Sequence, residues 1–371
     1  MKKITVITSH LGYGGIEQYL SSLCDMLKDN YEIELIVVYK KYQEPVFSFD
    51  KKIKIKYIFP YIAYPSNVIK YLKSFKLGKA IKEGILGASI VLTKRYKLID
   101  IVRNLKTDIV LTTRLKESKY VNRYCSKNIY KICTEHNYPS NLYKLKLLTG
   151  ISRFNKLVVV NEEIKKIYEK NFKDKVISIS NVIEDIPLEK SKLKTNNLIA
   201  IGRLEKEKGY LDLIEVIGLV TKQIPDITLY LIGNGKEYKK ITKKINKLDL
   251  NKNIIMTGYL NKKDISLYIL NSSLMVMTSF KESFGIVLLE AMSYGVPVIS
   301  FENSGSKELI NGKNGLIIKN RNKKRMSKEI INLLNNKKDL KEYSKEGSKV
   351  LKKYDKEIIK KEWLKFLGDI K

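Results

Sequence analysis

The feature that most constrains the fold is the regular alternation, along all 371 residues, of short apolar runs with longer segments of helical period. Continuous apolar runs are typical of strands buried on both faces of a parallel sheet, and helical segments supply the crossovers between them. The sequence therefore predicts an α/β protein. The predicted strands are residues 4–9, 33–38, 53–59, 108–113, 129–134, 157–160, 176–180, 198–201, 228–232, 254–257, 274–278, 298–301 and 315–318.

A polar stretch without periodicity, residues 184–197, separates two such α/β series. It predicts a hinge between two domains, each long enough to bury its own core. The predicted domains are residues 1–185 and 186–350, both Rossmann-like, followed by residues 351–371 as a final helix. That helix carries a packing face of Ile358, Ile359, Trp363, Phe366 and Leu367.

Composition indicates a cytoplasmic location. The three cysteines, Cys24, Cys125 and Cys133, have no CxxC spacing, which favours a reducing compartment and disfavours disulfides and zinc sites. Met1 is followed almost at once by the first predicted strand, so we expect no signal peptide. No apolar run is long enough to cross a bilayer.

The formal charge of +32 invites a nucleic-acid interpretation, which we do not favour. Only eight of the 71 basic residues are arginine, whereas specific nucleic-acid readers concentrate arginine beside aromatic residues or within a known module. A lysine-rich solvated surface explains the charge better, and attraction to an anionic membrane is an intermediate interpretation. A basic polyanion or nucleic-acid binder remains an alternative of a different class.

The most informative motif runs from Lys281 to Met292, after a predicted strand and into a predicted helix. The free N–H groups at a helix start suit a phosphate, and Gly285 permits close approach. Glu282 and Glu290 are eight positions apart, which is about 12 Å along a helix. That exceeds the ~5–9.5 Å of a glycosidase pair. It suits the two ends of a nucleotide-sugar, although two ordinary surface glutamates would also fit the spacing.

A loop at the end of the strand 198–201 places Arg203 and Lys208 five residues apart. Ligands of open α/β sheets bind at the carboxyl ends of strands, where two cations would neutralise a diphosphate. Gly233 and the Gly258-Tyr259-Leu260 stretch end two further strands. Backbone groups in such loops can contact a base, but each loop alone is weak evidence.

In the first half, Gly14 and Gly15 form a tight turn between the first strand and the first helix. The turn is not a dinucleotide-binding fingerprint, because Glu17 stands where the third glycine would be. Both histidines, His10 and His136, lie at the carboxyl ends of predicted strands. We interpret His10 as structural and expect His136 to contact the sugar of the bound nucleotide-sugar.

Taken together, GYGGIEQYL, GRLEKEKG, LIGNGKEY, ESFGIVLLEAMSYGVPVI and Asn314-Gly315-Leu316 resemble glycosyltransferase family 4, in the order that this family has them. The resemblance covers nearly the whole chain. It implies the GT-B fold, with two Rossmann-like domains facing a central cleft and a final helix crossing back to the first domain. It also implies a retaining transfer from a nucleotide-sugar without a bound metal, and the sequence contains no Asp-x-Asp motif.

Carried over by position, Arg203 and Lys208 would hold the diphosphate, Glu282 the sugar hydroxyls and Glu290 the ribose. The implied catalytic residues are His136, Glu282, Arg203 and Lys208. The implied donor-binding residues are Gly14, Gly15, Arg203, Lys208, Gly233, Tyr259, Leu260, Glu282, Ser283, Phe284, Gly285, Ile286 and Glu290.

The sequence indicates the acceptor less directly. We expect a hexose or N-acetylhexosamine, from a UDP-sugar rather than GDP-mannose, to be moved to a lipid-linked saccharide of a bacterial surface polysaccharide at the inner face of the membrane. Residues 68–85 are basic and partly apolar, but Gly78 and Gly84 are expected to interrupt an amphipathic membrane helix there. Another GT-B enzyme, such as a sugar-nucleotide epimerase or a phosphorylase, remains an alternative.

Overall fold

The computed structural model describes residues 1–184 and 186–370. The chain divides into two compact units, one of residues Met1–Ile179 with Lys360–Lys371 and one of residues Ser180–Ile359. Each unit is built on one parallel sheet. Its strands are β1 Lys3–Thr8, β2 Glu32–Tyr39, β3 Lys54–Phe59, β4 Ile109–Thr112, β5 Tyr130–Glu135, β6 Lys156–Val159 and β7 Val176–Ser178 in the first unit, and β8 Asn197–Ile201, β9 Thr228–Ile232, β10 Ile254–Gly258, β11 Leu274–Met277, β12 Val298–Phe301 and β13 Gly315–Ile318 in the second.

Helices form most of the crossovers between the parallel strands, but β2 is joined to β3 by residues 40–53, which contain no helix. Short 3₁₀ turns at Lys173–Lys175, Lys206–Lys208, Lys319–Arg321 and Lys352–Tyr354 complete the described secondary structure. The α-helices are α1 Gly15–Leu27, α2 Pro65–Lys73, α3 Leu77–Arg103, α4 Leu115–Tyr124, α5 Asn141–Gly150, α6 Glu162–Phe172, α7 Tyr210–Val220, α8 Tyr238–Lys247, α9 Lys262–Leu270, α10 Ile286–Ser293, α11 Ser304–Leu309, α12 Lys323–Asn335, α13 Lys337–Leu351 and α14 Lys356–Gly368.

The two sheets share one topological feature. The first has the order β3-β2-β1-β4-β5-β6-β7 and the second β10-β9-β8-β11-β12-β13. In each, the strand order reverses beside the first strand, so the switch point lies between β1 and β4 in one unit and between β8 and β11 in the other. Loops that follow the carboxyl ends of these strands diverge there and leave room for a ligand.

All thirteen predicted strands are confirmed, with ends that differ by no more than two residues. The prediction succeeds because these strands are mostly buried apolar runs: the central six residues of β2 and all four of β11 are buried. The GT-B fold is likewise confirmed in its two Rossmann-like units.

The structure shortens the predicted hinge at residues 184–197, of which Asp185 lies outside the described residues. Leu193 is buried in the core of the second unit. Ser191 Oγ donates to the carbonyl of Ser272 and Lys190 Nζ to that of Ser293, both within the same unit. The unit boundary falls earlier, at Ile179.

The expectation that glycines interrupt the basic segment was wrong. Helix α3 runs for 27 residues through both Gly78 and Gly84, and the break comes before it, at residues 74–76. There Phe75 adopts a positive φ of 54° and separates α2 from α3. Residues with this conformation end a helix, whereas a glycine within one only weakens it. Within the described residues, no helix is both long enough and apolar enough to cross a membrane.

Helix α14 ends the described chain, and its residues from Lys360 onward belong to the first unit. Trp363 is completely buried and Leu367 nearly so. Both side chains lie against apolar residues of β1, α1 and β4, including Ile4, Leu23 and Ile109. The apolar face predicted for the last helix is therefore confirmed in part: Trp363 and Leu367 are core residues of the first unit, whereas Ile358 is 43% exposed and Ile359 belongs to the second unit.

Candidate functional site

The switch point of the second unit brings together the loops that follow β8 and β11. The 3₁₀ turn Lys206–Lys208 ends at Gly209, whose φ is 67°. A Cβ on Gly209 would lie 2.2 Å from the carbonyl oxygen of Thr278, at the end of β11. Glycine is therefore needed both for the left-handed backbone and for the close approach. Thr278 Oγ1 in turn donates to the carbonyl of Lys208 at 3.1 Å, which fixes this loop against the strand end.

Lys208 and Glu282, predicted separately from the sequence, form an ion pair across this switch point. Lys208 Nζ donates to Glu282 Oε2 at 2.5 Å, and each side chain is 18% exposed. Beneath them Tyr210 is buried, and its pKa is raised by burial and by the nearby Glu282 carboxylate. A charged pair in this position is protected from bulk water but open to a ligand.

Glu282 lies in the loop before α10, so the predicted helical distance to Glu290 requires correction. The helix begins at Ile286, with Gly285 as its N-cap in the left-handed region at a φ of 82°. Only four of the eight steps between the glutamates are helical, about 6 Å of rise. Gly285 offers no side-chain cap, so the first N–H groups of α10 remain suited to an anion.

The surroundings of this helix start are rigid. Phe284 is buried and packs edge-to-face on Tyr354, with ring centroids 5.4 Å apart. The N–H of Gly305 donates to the carbonyl of Glu282 at 2.8 Å. Ser283 is also buried, whereas Ile286 and Glu290 are half-buried. These contacts hold in place the backbone of residues 282–290, the stretch predicted to bind the donor.

Arg203 belongs to the same loop as Lys208, but its head group points elsewhere. Its guanidinium pairs with Glu207 at 2.9 Å, and its side chain is 67% exposed. The backbone around it is close-packed, because a Cβ on Gly233 would lie 2.0 Å from the carbonyl oxygen of Gly202. The structure therefore places the Arg203 guanidinium in an exposed surface ion pair with Glu207, of the kind that contributes little to stability.

The loops after β9 and β10 complete this edge of the second sheet. Gly233 N–H donates to the carbonyl of Gly258 at 2.8 Å, and Gly258 has a φ of 74°. Tyr259 beyond it is half exposed and Leu260 is half-buried. Hydrogen bonds thus link the loops after β8, β9 and β10 in the order of their strands.

In the first unit, Gly14 and Gly15 stand at the start of α1. Gly14 is the N-cap, and a Cβ there would lie 2.4 Å from Glu17 Oε2. A Cβ on Gly15 would meet no described atom within 4 Å. The backbone at Gly15 is therefore approachable, and the N-cap residue, Gly14, has no side chain that could cap the helix. A phosphate or a sugar can come close to it.

Sequence reasoning missed an ion pair at the switch point of this first unit. Glu17 is only 2% exposed and pairs with Arg114, which directly follows β4, at 2.5 Å. Burial raises the pKa of Glu17, and Arg114 opposes that shift. The available signal was Arg114 itself, one of only eight arginines and placed at the carboxyl end of a predicted strand.

The two histidines are both neutral near pH 7. Burial lowers the pKa of His10 to about 4 and that of His136 to about 3, and Arg114 adds to both shifts. Gly12 N–H donates to His10 Nδ1 at 3.2 Å, so the contact of that nitrogen with Glu17 is not an ion pair. His136 Nε2 lies 3.1 Å from Thr134 Oγ1, and its ring packs 4.3 Å from that of Tyr19. His136 can exchange hydrogen bonds but supplies no positive charge.

Each unit thus gathers its own predicted residues: Gly14, Gly15 and His136 in the first, and the remainder in the second. Among the described residues, no group of three His, Cys, Asp or Glu side chains is placed to hold a metal ion. Any charge that develops on a ligand at the second switch point would be met by Lys208 and the start of α10.

The comparisons with known proteins find similarities to glycosyltransferases. Residues 181–350 match the sequence model of the glycosyl transferases group 1 family. The match covers the second unit from its first residues through α13, including the switch point with Lys208 and Glu282.

Among curated proteins, an uncharacterized glycosyltransferase of Haemophilus influenzae is 28% identical over 378 residues, covering 98% of this chain and 99% of that protein. A poly(glycerol-phosphate) alpha-glucosyltransferase of Bacillus subtilis is 29% identical over 181 residues, but these cover 48% of this chain and 26% of that protein.

Among solved structures, a mutant of Staphylococcus aureus TarM in complex with Fondaparinux, alpha-GlcNAc-glycerol and UDP superposes with a TM-score of 0.81. The superposition covers 100% of both chains at 17% identity, so it shows a common fold.

Proposed function

We propose that this chain, whose residues 181–350 match the glycosyl transferases group 1 family, moves a hexose or N-acetylhexosamine from a UDP-sugar to a lipid-linked saccharide acceptor. The proposed transfer retains the configuration of the sugar and serves the synthesis of a bacterial surface polysaccharide. The observation that carries the proposal is the Lys208–Glu282 pair at the carboxyl edge of the second sheet, beside the uncapped start of α10.

The pair suggests how the donor is received. A diphosphate at the start of α10 offers Lys208 a more highly charged partner than Glu282. Lys208 then exchanges the carboxylate for phosphate oxygens, and Glu282 is released to accept hydrogen bonds from the sugar hydroxyls. Arg203 can leave its exposed partner Glu207 and join the phosphates at little cost. Glu290, within α10, keeps its proposed contact with the ribose.

The chemistry then requires no metal. Negative charge grows on the diphosphate as the sugar leaves, and Lys208, Arg203 and the positive end of α10 stabilise it. The leaving phosphate assists removal of the proton from the acceptor hydroxyl on the same face of the sugar. The role proposed for His136 is narrowed by its low pKa: a neutral ring offers hydrogen bonds, and no charge.

Two similarities support the choice of donor and pathway. The TarM complex, which has the same fold, contains UDP. The Bacillus subtilis relative is named a poly(glycerol-phosphate) alpha-glucosyltransferase. The first similarity favours a UDP-sugar as the donor, and the second favours a polymer of a surface polysaccharide pathway as the acceptor of this chain.

The α2–α3 hairpin supports a peripheral contact with an anionic membrane. Residues 65–103, which form the hairpin, hold nine lysines and arginines against two acids, Glu83 and Asp100. Phe75, between the helices, is 93% exposed. Apolar side chains beside basic ones suit insertion at a lipid headgroup layer. The other exposed large apolar side chains of the hairpin are Ile69, Leu72, Leu77, Ile81, Ile85, Val91, Leu92 and Tyr96.

A nucleotide-release assay tests the proposal. The purified chain is offered a panel of UDP- and GDP-sugars, with and without lipid extracts that contain saccharide acceptors. We expect UDP release that depends on the acceptor. Donor consumption without any acceptor would indicate an epimerase, and a requirement for inorganic phosphate would indicate a phosphorylase. Either result would contradict the proposed transfer.

A further inference from the structure

A polar pocket of about 380 Å³ opens on the surface of the first unit, between the ends of helices α4 and α5. It contains none of the residues assigned above to donor binding or catalysis. Its lining side chains are basic or uncharged, and no acidic residue is among them. They are Lys119, Asn122, Arg123, Thr149, Gly150, Ser152 and Arg153.

The walls of this pocket are held in place by packing and hydrogen bonds. A Cβ on Gly150 would lie 2.6 Å from Leu115 Cδ1, so glycine allows α5 to approach α4 closely. Asn122 joins the two walls: its Oδ1 accepts from the N–H of Arg153 at 2.7 Å, and its Nδ2 donates to Ser152 Oγ at 3.2 Å. The pocket is therefore built by tertiary contacts between α4 and the turn after α5.

The three cations of the pocket have no carboxylate partner. Lys119, Arg123 and Arg153 form no ion pair with any residue in the two described stretches, 1–184 and 186–370. Two of the eight arginines in the chain thus face one pocket. The planar guanidinium binds phosphate through paired N–H donors, which a lysine cannot do. Arg123 is additionally held over the ring of Tyr124, 5.5 Å from its centroid.

The helix ends oppose an anion here, but less strongly than the side chains attract it. Helices α4 and α5 both contribute residues of their carboxyl-terminal halves to the pocket, and a helix carboxyl end carries roughly half a negative charge. Together they offset about one of the three positive charges. About two positive charges remain in excess, so the three basic side chains do more than neutralise the two helix ends.

We propose that this pocket binds the phosphate groups of an anionic acceptor chain, away from the place where sugar is transferred. The inference rests on the proposed function. Arg114 precedes α4 at the carboxyl edge of the sheet, and Arg123 lies nine residues further along, about 13 Å away. A phosphate bound in the pocket therefore belongs to a part of a long acceptor that is remote from the place of sugar transfer. Its binding increases the time that the acceptor stays bound.

The test uses the double variant Arg123→Gln/Arg153→Gln. The matched control is Lys127→Gln/Lys222→Gln, which removes the same charge from two exposed positions outside the pocket. Binding of inorganic tripolyphosphate and of an abasic phosphodiester oligomer is measured by calorimetry, beside UDP as a reference. We expect the pocket variant to bind both polyanions about tenfold or more weakly. The control should change by less than about twofold, and UDP binding should be unchanged in both.

A second readout ties the pocket to the acceptor. Tripolyphosphate should inhibit acceptor-dependent UDP release by the wild type, and this inhibition should be lost in the pocket variant. An equal loss of polyanion binding in the control variant would overturn the proposal, because bulk charge would then explain it. Binding to phosphatidylglycerol vesicles without binding to either soluble polyanion would overturn it as well, in favour of lipid headgroups. Absence of UDP binding by the wild type would instead contradict the proposed function.

Discussion

Both sheets carry a cation–carboxylate pair across their switch point, and the two pairs differ in how they are held. In the first unit Glu17 is 2% exposed and belongs to the regular helix α1. In the second unit Lys208 and Glu282 are each 18% exposed and lie in loops. The partner of Glu17, Arg114, is 31% exposed at the start of α4. The same topology thus supports a pair whose carboxylate is buried within a helix and a pair whose two side chains are both partly exposed outside regular α-helix and strand. Whether a ligand can separate such a pair depends on how deeply its side chains are buried and on whether they lie in helices or in loops.

Replacing Glu17 should have the largest effect on stability. Glu17→Ala leaves Arg114 partly buried without its partner, and we expect a loss of about 3 kcal/mol in the free energy of unfolding. Urea unfolding followed by circular dichroism measures it. Glu282→Ala is the matched change in the second unit and should cost about 1 kcal/mol, because its partner lies in a loop that can adjust. Equal losses would remove the distinction between the two pairs.

Replacing Lys208 should have the next largest effect, on the binding of UDP. Lys208→Ala removes a cation and leaves the Glu282 carboxylate facing the diphosphate, so we expect affinity to fall by about 30-fold or more. The double variant Lys208→Ala/Glu282→Ala should bind UDP more tightly than Lys208→Ala alone, because the repulsion is gone. Glu282→Ala alone should retain UDP binding and lose transfer.

Calorimetry on these three variants and the wild type completes a double-mutant cycle. If Lys208→Ala binds UDP as the wild type does, the donor site is assigned wrongly. If Glu282→Ala abolishes UDP binding, the roles of the two residues are exchanged.

The third prediction concerns the pH dependence of stability. It distinguishes the two units because both histidines belong to the first. The folded-state pKa of His136, about 3, lies below the usual 6.5. Its contribution to stability is therefore complete above pH 6.5 and declines as the pH falls below that value. The buried acids Glu17, Glu117 and Glu135 have raised pKa values and act in the opposite direction, so the wild-type profile alone does not isolate the histidine.

Comparison with His136→Gln isolates it. Between pH 7.5 and pH 5, we expect the variant to gain about 1–2 kcal/mol of unfolding free energy relative to the wild type, a range that allows for partial exposure of the ring. Glu215→Gln serves as the control in the second unit. Hydrogen bonds from Lys244 and Lys323 lower the pKa of Glu215, so its contribution is lost only below about pH 4.5. A histidine variant whose relative stability is independent of pH would contradict the lowered pKa.

The same contrast explains which parts of the structure could be predicted. Strands were predictable because a run such as that of β2 is buried along its length, so composition alone identifies it. That Lys208 and Glu282 contact a ligand stays a prediction from their motifs. Their mutual ion pair was not predicted, since it joins residues 74 positions apart. It depends on Gly209 packing against Thr278, a steric fact that no local pattern contains. The Glu17–Arg114 pair, 97 positions apart, was missed for the same reason.

The smallest expected effect on stability is that of Gly15→Ala at the start of α1. An added methyl would meet no described atom within 4 Å, so the free energy of unfolding should change by less than about 0.5 kcal/mol. Gly209→Ala in the second unit is the contrast: its φ of 67° and the 2.2 Å approach to Thr278 oxygen should make it costly, by about 1–3 kcal/mol. Urea unfolding separates the two. Despite its intact fold, Gly15→Ala should slow UDP release, because the methyl occupies the approach to the helix start. A wild-type rate would show that ligands do not use the start of α1, and the accessible backbone at Gly15 would then be a feature of the turn alone.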